Sequence, residues 1–431
     1  MLVEFRFKNF RSFYKEQALS FVASNYDKSL KSHLIPLREV PGFEKTSLLK
    51  AVALYGANAS GKSNVLQAAA FMVDFVNKSA ADLKPGDPTG VVPFALAPGS
   101  AEEPTEFEMT MIIDGIRHQY AFAATRERVV HEILVAYPKK KAQRWFERKW
   151  NGNAYEWTEP TEHFRHDMAL RDRTRENALF LSTGAQWNHQ QLTTVYQWFK
   201  NQFRFMNLDA DVQFGFGFTA GLLKKKPDTF KRVVEMLKVA DLGVVDAVVE
   251  EQPVSRDLIV EHFTAAEVSR LEREKKLDQL VNAVVQLKHR ASGMEPVAFE
   301  MSEESVGTRR FFALAGPWLD ILENGYTVFI DELESSLHPL LVKAFLNLLF
   351  CPKNNPKGAQ VIFTTHNPTL LDNDILRRDQ IWFTEKGKDG ASSLYPLTDY
   401  KPRDSESLEK GYLAGRYGGL PYIPEGLLLA P

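Results

Sequence analysis

The sequence holds a single cysteine, Cys351, among 431 residues. One thiol builds neither a disulfide framework nor a four-ligand zinc site, and its scarcity fits a reducing cytoplasm. Long apolar runs are also missing. No stretch reaches the roughly 18 apolar residues that span a bilayer. The densest, Leu340 to Phe350, is interrupted by Lys343 and Asn347 and reads as an amphipathic helix. The opening MLVEFRFKNF alternates apolar with polar or charged residues and has no continuous apolar segment of a secretion signal. Charge of one sign is lacking too: 53 Lys and Arg stand against 55 Asp and Glu, a formal net charge of −2. The whole molecule therefore exerts no general attraction on phosphate, and contact with nucleic acid would need a local basic patch. Neither an internal repeat nor a low-complexity tract occurs. What is present, 44% hydrophobic and 25% charged residues, is the balance of a folded chain. Its length suggests two or three units of roughly 150 residues each.

Periodicity organises the chain. Val3, Phe5 and Phe7 alternate with Glu4, Arg6 and Lys8, so the first 25 residues read as strands, with Ala18 to Ala23 able to pair with the first. Leu48 to Tyr55 reads as a buried strand. A glycine-containing loop follows, then a helix from Ser63 to Lys78. Residues 80 to 100 carry prolines and glycines and form a crossing segment. From about 105 to 158 short alternating strands return, with Asp114-Gly115 as a hairpin turn. Residues 160 to 205 look helical and charged. Helical periodicity also dominates 228 to 290, where Glu261 to Arg290 could form a helical hairpin arm. Strand and helix then alternate: strand Gly325 to Ile330, helix Leu340 to Phe350, strands Gln360 to Thr364 and Ile381 to Thr384. Such alternation predicts an α/β fold with a mainly parallel sheet covered by helices. The expected domains are 1–159, 160–292 as a mainly helical insertion, and 293–431.

Four motifs carry chemistry. Gly56-Ala57-Asn58-Ala59-Ser60-Gly61-Lys62-Ser63, followed by Asn64, matches GxxxxGK[ST] between an apolar strand and a helix, the context that defines a P-loop. Its glycines let backbone N–H groups turn inward around phosphate oxygens, and the helix points its positive end at them. Lys62 would reach the β- and γ-phosphates, and the Ser63 hydroxyl would ligate Mg²⁺. Thr327-Val-Phe-Ile330 ends in Asp331 and Glu332. Ligands lie beyond the carboxyl ends of parallel strands, so Asp331 would hold the metal and Glu332 would polarise the attacking water. Val361-Ile-Phe-Thr364 ends in Thr365-His366, and a histidine there can donate to the γ-phosphate. Finally, Ser305 and Gly307 open a helix-like run; the pair reads as a helix cap or as a phosphate-binding signature.

In this order the four elements resemble the ABC-type P-loop ATPase heads of the SMC, RecF and OLD group. Phe7 to Phe13 looks like that group's N-terminal strand-turn, and Glu332 to Pro339 is similar to the acidic "LHP" run of RecF- and OLD-like proteins. The tail Tyr412 to Pro421 resembles the C-terminus of small bacterial ATPases found with RloB-like or abortive-infection partners. The resemblance implies an ABC-type head with a β-meander lobe and a parallel core sheet, binding ATP and Mg²⁺. It also implies a head-to-tail dimer in which the P-loop of one copy faces Ser305 and Gly307 of the other, with Arg11 near the nucleotide. Departures are Ala59 in place of a glycine, Val306 where a second glycine often sits, and no clear Q-loop glutamine, since Gln119 lies in a poor context.

Weaker features remain. Lys139 to Lys141 with Arg144, Trp145, Phe146, Arg148, Lys149 and Trp150 could bind single strands, although an edge hairpin with wet lysines is the preferred reading. Lys224 to Lys226 reads as a solvated turn. Three functions are compatible with the residues. The first is a sensor ATPase of a bacterial defence module, passing its state to a separate, possibly nuclease-like effector. The second is a DNA-binding repair or tethering ATPase. The third is a transporter's ATPase subunit, against which the "LHP" run argues. The resemblance favours the first, without membrane association.

Overall fold

The computed structural model describes residues 1–161, 164, 168–207, 212–240, 243–253, 281–335, 337–403 and 406–421. They fall into two compact units: Met1–Asn207, Ile321–Glu334 and Lys343–Pro431 form one, Leu208–Asp320 and Ser335–Val342 the other.

In the first unit the alternating N-terminal residues form β1 (Leu2–Lys8), and the second run supplies β2 (Gln17–Ser20), which ends at Ser20 and pairs with β1 antiparallel. A short hairpin, β3 (Leu34–Pro36) and β4 (Ser47–Leu49), leads into the wholly buried β5 (Ala51–Gly56) and then α1 (Lys62–Lys78). The expected meander follows: β6 (Thr105–Ile113), β7 (Ile116–Ala124), β8 (Val129–Tyr137), β9 (Gln143–Trp150) and β10 (Tyr155–Thr158). With β1 and β2 these strands make a seven-stranded antiparallel sheet in the order β10-β9-β8-β7-β6-β1-β2. The β6–β7 turn places Asp114 and Gly115 at φ 48° and 76°, the left-handed pair that a two-residue hairpin requires. Helices α2 (Met168–Arg173), α3 (Phe180–Gln186) and α4 (Gln190–Gln202) come next, then strand β11 (Phe203–Asn207).

The second unit holds α5 (Val212–Lys225), α6 (Pro227–Val239) and the antiparallel strands β12 (Val244–Pro253), β13 (Val281–His289) and β14 (Val297–Glu300). Helix α7 (Val306–Asn324) begins in this unit and ends in the first. The chain continues through β15 (Thr327–Asp331), α8 (Pro339–Phe350), β16 (Gln360–Thr364), β17 (Ile381–Lys386), β18 (Ser392–Pro396) and α9 (Leu408–Leu413). The core sheet runs β11-β15-β16-β5-β17-β18. Its first five strands are mutually parallel, and only β18 is antiparallel. Burial on both faces explains why these strands read as unbroken apolar runs. Gln360 stitches the two sheets: its amide accepts from Leu2 N at 2.7 Å and donates to Leu2 O at 2.9 Å.

The 160–292 insertion differs from the expected helical region. Helices α3 and α4 pack on α1 in the first unit, and β11 joins the core sheet. Within 228 to 290, α6 is helical, but β12 (Val244–Pro253) and β13 (Val281–His289) pair as strands. Both runs are rich in valine, whose β-branch favours the pleat. The 261–290 arm lies outside the described residues up to 280; from 281 it is strand, not helix. The basic-aromatic stretch runs into β9, which buries Trp145, Phe146 and Arg148 where its pairing with β8 shifts register, so those rings are core and do not face solvent as a stacking platform. Lys140 pairs with Glu44.

Arg148 sits in the meander as half of a fully buried ion pair. Its guanidinium donates to Glu132 at 2.9 Å and to Ala178 O at 2.5 Å. Glu132 also accepts from Tyr120 Oη and from the backbone N–H groups of Phe180 and Leu181 at the start of α3. The carboxylate thus pins the α3 terminus onto the sheet. Removing one partner leaves a buried, uncompensated charge, which costs about 3–5 kcal/mol. We expect Glu132→Ala to lower stability by that amount in urea denaturation, with Tyr120→Phe losing about 1 kcal/mol.

His33 adds a pH dependence. It stacks on Phe350 with ring centroids 3.4 Å apart and lies 2.9 Å from Gln380 Oε1. Burial lowers its pKa from 6.5 to about 4. In that window the unfolded chain binds the proton and the folded chain does not, so stability falls as pH drops from 6.5 towards about 4. His33→Gln should flatten this slope in denaturation curves measured at pH 6.5, 5.5 and 4.5; an unchanged slope would assign it to other groups.

Candidate nucleotide site

The site forms where the parallel strands end. Strand β5 delivers Gly56, with β16 beside it and β15 beyond, so the P-loop, the Thr364–His366 tip and the Asp331–Glu332 pair emerge along one sheet edge. A cavity of about 690 Å³ lies there, lined by Gly56 to Ser60, His366, Pro368, Thr384 to Lys386, Tyr412, Leu413 and Gly419 to Pro421.

The P-loop backbone is tightly confined. Gly56 has φ 156°, and a Cβ there would meet Ser60 Oγ, Thr384 O and Thr384 Oγ1, each at 2.5 Å. Gly61 caps α1 at φ 115°, where a Cβ would lie 2.8 Å from Ser392 Oγ and 2.9 Å from Phe13. Ala59, the departure from glycine, takes φ 62°, a left-handed backbone that costs an alanine about 1–2 kcal/mol. Lys62 is buried, and its ammonium donates to Gly56 O at 2.8 Å and Ala57 O at 3.0 Å. Burial lowers its pKa, while Asp331, Glu332 and Glu334 oppose the shift. Ser63 and Asn64 follow in the first turn of α1; Asn64 Nδ2 donates to Ser12 Oγ at 2.8 Å. That bond ties the Arg11 loop to the P-loop helix. Arg11 itself is exposed at φ 50°, its guanidinium 5.6 Å from the Phe10 ring centroid.

One hydroxyl organises both acids. Thr364 Oγ1 donates to Asp331 Oδ1 at 2.6 Å and accepts from Glu332 N at 2.7 Å. Glu332 is exposed and takes φ 52° directly after β15. The His366 N–H donates to Glu334 Oε1 at 2.5 Å. His366 is exposed at its tip; the desolvated part of its ring, with Lys62 nearby, holds its pKa below 6.5. Sequence reasoning gave no role to Thr364, Thr384, Glu334 or Tyr412. The legible trace of the first two is a polar residue closing an apolar strand.

Ser305 lies in the second unit, exposed, and caps α7: its Oγ accepts from Thr308 N at 3.1 Å. The cap reading is thus realised. Gly307 is half-buried in the first turn. Gln119 lies within β7, donating to Glu108 at 2.8 Å.

The crowding at Gly56 has a direct consequence. Gly56→Ala must displace the Thr384 backbone, and we expect nucleotide binding to fall below detection by calorimetry. Ala59→Gly should keep binding and raise stability by about 1 kcal/mol.

A family model described as "AAA domain, putative AbiEii toxin, Type IV TA system" matches residues 51–372. No curated protein matches. Among solved structures, the SMC head domain from Thermotoga maritima shares 14% identity over 92% of this chain and 98% of its own, with a TM-score of 0.40. An Smc head with an extended coiled coil, bound to the C-terminal domain of ScpA from Pyrococcus furiosus, shares 14% over 96% and 98%, with a TM-score of 0.35. The recombination mediator protein RecF with ATP shares 13% over 86% and 94%, with a TM-score of 0.32. The fold is that of an ABC-type P-loop NTPase head, α/β with a meander lobe and a parallel core sheet. By a match that spans more than half its length, the chain belongs to this AAA-domain family.

Proposed function

We propose that the chain is a Mg²⁺-dependent ATP hydrolase that serves as the nucleotide-driven regulatory subunit of a bacterial defence module and controls a separate effector protein. The observation that carries the catalytic part is the convergence of the P-loop, Asp331–Glu332 and His366 on adjacent parallel strand ends. The P-loop N–H groups and Lys62 take the phosphates, aided by the positive end of α1. Ser63 and Asp331 would hold Mg²⁺; a hydroxyl and a carboxylate oriented by Thr364 are the hard oxygen donors that cation takes. Bound there, the metal neutralises charge on the phosphate oxygens. Glu332, exposed beside it, orients and polarises water. A neutral His366 donates to the terminal phosphate.

The dimer follows from the signature. Ser305 and Gly307 lie in the other unit at an exposed helix start, ready to meet a second copy's P-loop, with Arg11 flanking the nucleotide. ATP then closes two heads, and hydrolysis opens them. The family's description as a toxin of a type IV toxin–antitoxin system supports the defence setting. The burial of Trp145 and Phe146 takes away the sequence feature that best supported direct nucleic-acid binding. Among the described residues no helix is long and apolar enough to cross a membrane, and the cytoplasm remains the proposed compartment.

Glu332→Gln keeps shape and removes the base. We expect its ATPase rate to fall on the order of a hundredfold or more while ATP binding persists. Light scattering should show Mg-ATP converting a smaller species into a dimer or a multiple of it, and Ser305→Arg should block that conversion. A mass that ignores ATP in Glu332→Gln would refute ATP-driven closure.

A further inference from the structure

We propose that Tyr55 is a positioning residue for His366, and that Tyr412, in the C-terminal hook of residues 406–421, holds Tyr55 in that role. This rests on His366 being the terminal-phosphate contact. Tyr55 is fully buried at the end of β5, directly before the first P-loop glycine. Its hydroxyl donates to the carbonyl oxygen of Asn367 at 3.2 Å. A single side chain is therefore covalently next to Gly56 and hydrogen-bonded to the residue that follows His366. A buried phenol needs a partner, and this one has found a peptide of the loop that carries the histidine out of β16.

The hook packs against this link from the far side. The Tyr412 ring meets Tyr55 edge-on at 5.7 Å and stacks on Phe383 at 5.6 Å. Helix α9 also packs against the turn Pro368–Leu370, immediately after His366 and Asn367. Tyr412 Oη donates to Gly419 O at 3.4 Å. Gly419, at φ 68°, neighbours the P-loop: a Cβ built there would sit in ordinary contact, 3.5 Å, with Gly56 Cα, and both residues line the same cavity. The hook is itself stapled: Glu406 accepts from Arg416 at 2.6 Å and from Tyr417 Oη at 2.9 Å. It thus lines the cavity with the P-loop's first glycine and packs on the histidine loop at once, and it lies beyond the matched residues 51–372.

Tyr55→Phe deletes one hydrogen bond and keeps the ring packing, so it tests the link without endangering the fold. The measurement is a double-mutant cycle of steady-state ATPase with ATP dissociation constants, on Tyr55→Phe, His366→Ala and the pair. Tyr55→Phe should lower kcat roughly fivefold with ATP affinity unchanged. On the His366→Ala background it should change nothing further, because the group it positions is gone. Tyr412→Leu should reproduce the kcat loss, and Tyr412→Phe should recover most of it. Multiplicative effects of Tyr55→Phe and His366→Ala would overturn the positioning role alone. Full activity in His366→Ala would overturn the role of His366 itself, and the positioning with it.

Discussion

The register of three strands from distant parts of the chain is the constraint on which the site depends. Phe363 pairs with Ile330 on one side and Ala53 on the other. Only in that register does Thr364 reach Asp331 and Glu332 together. In parallel pairing a slip of one residue would exchange the two faces of a strand. The Thr364 hydroxyl, which serves both acids at once, would then lie on the wrong side of the sheet. The register is held from the opposite end as well, where Gln360 bonds Leu2 and Leu49, and Gln380 donates to Ala51 O. These amides are buried where an unpaired polar group would cost free energy, so they reward only the correct alignment. The edge that carries the P-loop is therefore set by polar contacts at the opposite edge.

How much of this was legible depends on the range of the interaction. Gly56 to Ser63 could be read because a P-loop is local: strand, loop and helix are contiguous. Asp331 and His366 could be read because apolar strands ending in polar tips are local patterns too. Thr364 was quoted as part of such a tip, yet its role needs a strand pairing that no periodicity reveals. Tyr412 and Gly419 are likewise invisible, because their partners Tyr55 and Gly56 lie more than 350 positions away. The misreading of Val244–Pro253 and Val281–His289 has a different origin: the helical periodicity read there gives way to the pairing of two valine-rich strands. For Trp145 and Phe146, composition suggested a surface, and the register shift between β8 and β9 that accompanies the burial of both neighbours leaves no mark in the periodicity.

Backbone strain gathers around the same edge. Asn9, Arg11, Ala59 and Glu332 all take positive φ without being glycine. Each conformation costs of order 1–3 kcal/mol and persists only where the surroundings over-determine it. The surroundings do so here. Asn9 is buried and binds the carbonyl oxygens of Ser100 and Glu103 and the amide of Phe94. Ser12 receives Asn64 and, through its carbonyl, Ser392 N. Glu332 is fixed at its amide by Thr364. The anchors lie in two different sheets, so the strained loops bridge the meander lobe and the core sheet at the phosphate end. A ligand that loads this edge therefore acts on groups that both sheets hold.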